Sequence, residues 1–212
     1  MTNKNFLTKS RWLVTIILLL LLGITHAWGN TTDNLTYSGI GLGYSRNSGA
    51  YTAFSNVAAS SAARYAGQIY AFDKNNTSKT YIQMRATSPS AIISTTSGGD
   101  VKTVTITWNS STAKGRTIQV YGKTSAYSEP ADLYDNTKKG TLLGTIVYGT
   151  STSITVVGSY QYIGLRSSSN ALYVDNIAIE WGPSGTSVSL TNGGCDGSGG
   201  TSKGSFCWTI VF

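Results

Sequence analysis

Paired carboxylates hydrolyse glycosidic bonds without help from any imidazole, so Asp and Glu are the first residues to weigh. Nine are present: Asp33, Asp73, Asp100, Glu129, Asp132, Asp135, Asp175, Glu180 and Asp196. The densest group, Glu129 to Asp135, falls in a loop from Tyr127 to Lys139 that is long enough to fold over a sheet edge. Most of the others neighbour Asn, Ser, Thr or Gly, where Asp is a turn and cap former. Nucleophile patterns are weaker. Ser111-Thr112-Ala113-Lys114 has Ser-x-x-Lys spacing but no later Lys-Thr-Gly companion, and Gly200-Thr201-Ser202-Lys203-Gly204 lacks the strand-to-helix elbow its pattern requires. Gly39, Gly41 and Gly43 open no strand–turn–helix phosphate cradle.

The one histidine is His26. It lies within residues 1–27, where Lys4, Lys9 and Arg11 precede an apolar run from Trp12 to Leu22 that closes on Thr25-His26-Ala27. This is the pattern of a secretory signal peptide cleaved after Ala27, and the run is shorter than a bilayer span. A chain exported in this way has no imidazole, which excludes Ser-His-Asp and Cys-His nucleophiles and His-containing zinc sites. The expectation is a secreted, extracellular protein without membrane span, catalytic residue, metal centre or cofactor. Oxygen-rich loops leave a structural calcium open, although no EF-hand signature accompanies them. Cys195 and Cys207 are expected to pair as a local disulfide in an exported chain; the alternative is two thiols in a tail that never meet.

Thirteen tyrosines shift the emphasis from catalysis to binding, because a Tyr ring stacks on a sugar or base while its hydroxyl hydrogen-bonds at low entropic cost. Tyr44, Tyr51, Tyr127 and Tyr134 fall outside the expected strand cores, with Arg46, Arg85, Arg116 and Arg166 as donors. The candidate ligand-binding set is Arg85, Arg116, Tyr127, Tyr134 and Arg166. Tyr is also a strand former that edges a sandwich core, so a packing role is the competing reading. Tyr81-Ile82-Gln83-Met84-Arg85 and Tyr162-Ile163-Gly164-Leu165-Arg166 share the frame Tyr-Ile-x-apolar-Arg. Either two strands occupy equivalent sandwich positions, or both arginines emerge at one rim.

These residues are carried by short alternating segments, with no sustained 3.6-residue period. Val101 to Trp108 is the clearest: Val104, Ile106 and Trp108 alternate with threonines, which sets Trp108 in the core. Further strands are expected at Thr117–Tyr121 (Ile118 and Val120 on one face), Ser153–Val157, Val174–Trp181, Tyr81–Arg85, Ala91–Thr95, Leu142–Tyr148 and Tyr160–Arg166. Eight strands make an all-β, two-sheet antiparallel sandwich of jelly-roll type over residues 28–181. Val57 to Tyr65, the sole Ala-rich piece, is expected as loop or short helix. Residues 182–212 hold eight glycines and read as a tether, with an apolar end from Phe206 to Phe212 that suggests the start of a further module.

Val101-Lys102-Thr103-Val104-Thr105-Ile106-Thr107-Trp108, Gly115-Arg116-Thr117-Ile118-Gln119-Val120-Tyr121-Gly122, Ala131-Asp132-Leu133-Tyr134 and Tyr162-Ile163-Gly164-Leu165-Arg166-Ser167, in this order, resemble an accessory β-sandwich module of secreted Bacteroidetes proteins. The likeness spans about 100 residues. It implies a jelly-roll, carbohydrate-binding-like domain of the type joined to extracellular enzymes, including nucleases; with no catalytic domain following, the expectation is either a stand-alone module or a truncated reading frame. The expected function is binding of an extracellular glycan or polysaccharide, or targeting of an enzyme to its substrate. A structural or adhesive spacer is the alternative, and a nucleic-acid-binding accessory the third reading. Nucleic acid is the less expected partner, since removing the leader's three basic residues leaves 13 against nine acidic ones.

Overall fold

The computed structural model describes residues 29–44 and 47–184. The expected leader, Arg46, the Cys195–Cys207 pair and the tail beyond 184 lie outside the described residues. Eleven strands form two antiparallel sheets: β1 (Thr31–Leu35), β2 (Ala50–Ala58), β3 (Arg64–Ala71), β4 (Ile82–Met84), β5 (Ala91–Thr96), β6 (Asp100–Trp108), β7 (Thr117–Lys123), β8 (Thr141–Val147), β9 (Ser153–Thr155), β10 (Tyr162–Ser167) and β11 (Leu172–Gly182). One sheet runs β1-β11-β6-β9 with β4 also paired to β11, and the other runs β2-β3-β5-β10-β7-β8. Only the β2–β3 and β7–β8 connections stay within a sheet, so the chain passes repeatedly across the core, as in jelly rolls.

Alternation along the strands fills the space between the sheets. Val104 and Ile106 of β6, Ile177 and Ile179 of β11, Ile118 and Val120 of β7, and Ile163 and Leu165 of β10 are all buried. Trp108 departs from this rule: it is only half-buried, packed against the edge of the core. The β6–β11 register shifts between Val174 and Asn176, and Trp108 instead donates through Nε1 to the Ser151 carbonyl at 3.1 Å.

All eight expected strands are present, as β4 to β11, and β1, β2 and β3 are additional. The Ala-rich stretch from Val57 is not helical: it ends β2, turns, and begins β3. Helix occurs instead at α1 (Tyr37–Ile40), where Thr36 Oγ1 accepts from the Gly39 amide at 3.1 Å and Gly41, at φ 76°, ends the turn.

A second, smaller apolar cluster lies on the opposite face of the six-stranded sheet. It consists of Ala91, Ile93, Tyr121, Tyr127 and Leu133, and it exists because the segment between β7 and β8 folds back over that face with a 3-10 turn at Pro130–Tyr134.

Candidate functional site

The inward direction of Ile163 and Leu165 turns Gly164 and Arg166 of β10 outward, and that of Ile118 and Val120 does the same for Gln119 and Tyr121 of β7. Register then sets Arg166 opposite Gln119. Arg166 donates from Nε (3.1 Å) and Nη2 (2.9 Å) to Gln119 Oε1, which also accepts from the Tyr121 hydroxyl at 3.0 Å. The guanidinium carbon is 5.5 Å from the Tyr121 ring centre and 4.9 Å from that of Tyr134.

Tyr134 reaches this place because its turn is fixed at both ends. Asp132 accepts from the Ser128 amide at 2.8 Å, and Leu133 lies directly against Gly164, where a Cβ would come within 2.5 Å of Leu133 Cδ2. The Tyr134 hydroxyl donates to the Ser90 carbonyl at 2.8 Å. Arg85 follows β4, its amide held by Ser90 Oγ at 3.1 Å, and its guanidinium carbon sits 4.0 Å from the Tyr51 ring centre. Arg85 Nε is buried without a hydrogen-bond partner, as is Gln68 Oε1 of β3. Burial pushes the Tyr134 phenol above its ordinary range, while both Arg166 and Arg85 pull it down.

Of the five sequence candidates, Arg85, Tyr134 and Arg166 come together. The repeated Tyr-Ile-x-apolar-Arg frame falls on β4 in one sheet and β10 in the other, yet Tyr134 adjoins both arginines: its ring faces the Arg166 guanidinium and its hydroxyl is 3.4 Å from the Arg85 carbonyl. Arg116 is elsewhere, at the start of β7, donating to the Ser169 carbonyl at 3.3 Å. Tyr127 is 2% exposed, its hydroxyl donating to the Lys139 carbonyl at 2.9 Å. It ties the two ends of the loop together and leaves no ring face for a ligand. Gln119 and Tyr121 were missing from the candidate set, although the inward direction of Ile118 and Val120 already implied their outward one.

An open groove of about 710 Å³ lies at the end of β6, between Thr105, Thr107 and Trp108 on one side and Tyr148 to Thr152 on the other. Its aromatic pair, Trp108 and Tyr148, is tilted by 57° at 5.4 Å, so the two rings do not form a flat platform. Six of the carboxylates accept hydrogen bonds that fix local structure. Asp33 accepts from Ser61, Tyr65 and Trp181, Asp73 from Asn75 and Asn76, Asp100 from Ser159 and Gln161, Asp135 from Thr137, Asp175 from Asn109 and Glu180 from Asn30. Among the described residues no group of three or more His, Cys, Asp or Glu gathers as a metal site, and no helix is long and apolar enough to cross a membrane.

No family model matches the chain, and no curated protein or solved structure matches it either.

Proposed function

We propose that the protein is a non-catalytic binding domain that holds an extracellular glycan on the outer face of its six-stranded sheet. One observation carries this reading: Arg166 lies over the half-buried ring of Tyr134, whose hydroxyl also approaches the Arg85 carbonyl at 3.4 Å, within a cluster that includes the stack of Arg85 on Tyr51, together with Tyr121 and Gln119. An aromatic ring gives a sugar's C–H face a stacking surface, and guanidinium N–H groups in fixed positions select its oxygens. The sandwich supplies a rigid base for them.

The engagement of most described carboxylates by backbone and side-chain donors supports a binding role, since a glycosidase needs two carboxyl groups facing one open cleft. The accessory-module likeness and the leader pattern support a ligand outside the cell. The Trp108–Tyr148 groove is the less favoured location, because its rings are tilted and the indole N–H is already bonded to Ser151.

The test is a polysaccharide-binding screen with the full chain, combined with an assay for new reducing ends. Retention on at least one polysaccharide without cleavage supports the proposal. Retention on none, or release of reducing ends by contaminant-free protein, overturns it.

A further inference from the structure

The described residues contain two ion pairs, Lys102–Asp100 and Lys138–Asp132, both at 3.7 Å, and neither involves an arginine. Among the described residues no arginine pairs with a carboxylate, and two of the arginines, Arg85 and Arg166, adjoin Tyr134 where the loop crosses the outer face of the six-stranded sheet. Arg166 has a neutral partner, Gln119 Oε1, which takes its Nε and one Nη. Among the described residues the Arg85 side chain has no hydrogen-bond partner; its guanidinium rests on Tyr51, and its Nε is buried without an acceptor. Two carboxylates of the crossing loop are already engaged. Asp132 is 3% exposed and holds the Ser128 and Glu129 amides, and Asp135 caps Thr137. A third cation, Lys139, lies 5.7 Å from the Tyr121 ring.

Guanidinium groups held partly out of water beside aromatic rings gain more from a charged acceptor than from a hydroxyl, because the ionic hydrogen bond is the stronger one. A neutral sugar would give them dipoles only. We infer that the glycan held by this face is acidic, with a uronic carboxylate or a sulfate ester as the group that Arg85 and Arg166 recognise, while a sugar ring lies against Tyr134. Nucleic acid fits less well, because a phosphate backbone is followed by a track of cations and these form one compact cluster. This inference rests on the glycan-binding reading above and adds the charge class.

The experiment measures binding of the full chain to polygalacturonate, alginate and chondroitin sulfate, to fully methyl-esterified pectin, to neutral xylan and mannan, and to single-stranded DNA. Binding to an acidic polymer is expected. If polygalacturonate is the one bound, methyl esterification should lower its affinity at least tenfold. Arg85→Gln and Arg166→Gln should each weaken acidic binding about tenfold. Arg85→Gln is the cleaner variant because the Arg85 side chain makes no hydrogen bond among the described residues and only stacks on Tyr51, and unchanged circular dichroism and Tm confirm that the sandwich persists. Equal or better binding to the neutral polymers, or acidic binding unaffected by both substitutions in folded protein, overturns the acidic assignment and leaves the glycan reading standing. Retention on DNA alone, or on none of these polymers, overturns both.

Discussion

Trp181 donates its indole N–H to Asp33 Oδ2 at 2.9 Å, linking the end of β11 to the middle of β1 inside the core. The same carboxylate accepts from the Tyr65 hydroxyl, the Ser61 hydroxyl and the Ser61 amide, each at 2.6 Å, and it is completely buried. Four donors therefore depend on one side chain. Asp33→Ala would leave them without an acceptor, and a buried bond to a charged group contributes about 1.5–3 kcal/mol. The expected loss is about 3 kcal/mol or more in urea unfolding, with Asp33→Asn losing less. An unchanged midpoint would show that water replaces the carboxylate.

Alkaline pH should destabilise the fold through Tyr65 and Tyr127. Burial, and for Tyr65 the Asp33 carboxylate as well, pushes both phenols far above the ordinary value of 10.0. The unfolded chain ionises near pH 10 while the folded chain keeps its protons. The stabilisation from neutral phenols is therefore complete below pH 10 and declines as pH rises above it. The slope is about 1.4 kcal/mol per pH unit for each phenol. Urea midpoints between pH 8 and 11.5 should be flat at first and then fall, and Tyr65→Phe should reduce the fall. A profile that stays flat to pH 11.5 contradicts this account.

The strands that were legible are those whose inward positions are large and β-branched, as in Val101 to Trp108 and Val174 to Trp181. β3 was hidden because two of its inward positions are Gly67 and Ala71, which bury no large side chain yet are fully enclosed. β1 was hidden because its inward Asp33 reads as a loop residue. At the site, Arg85 and Arg166 could be paired by their shared frame, but their meeting at Tyr134 depends on the 3-10 turn crossing the sheet. Sequence spacing carries no information about that crossing.

Trp108 illustrates the limit of a periodicity argument. Alternation alone would place it with Val104 and Ile106, where truncation to Ala costs about 3–5 kcal/mol. It is half-buried beside the β8–β9 connection and bonded to Ser151. Trp108→Ala should cost less, about 2 kcal/mol, from partial burial and one hydrogen bond. Unfolding of the variant at room temperature would return Trp108 to the core.

The position of Tyr134 depends on a fit one turn residue earlier. A Cβ on Gly164 would lie 2.5 Å from Leu133 Cδ2, and Leu133 is fully buried between that strand and the loop. Gly164→Ala should cost about 1–3 kcal/mol by overpacking. Leu133→Ala should cost about 2–5 kcal/mol by leaving a cavity. The two defects are complementary: the added methyl enters the space from which the isobutyl group was removed. The double variant should therefore lose less than the two single losses combined, with a favourable coupling of about 1 kcal/mol or more. Strict additivity in a double-mutant cycle would mean that the loop does not rest on Gly164. Arg166 would then meet Tyr134 only incidentally, without the support a recognition surface needs.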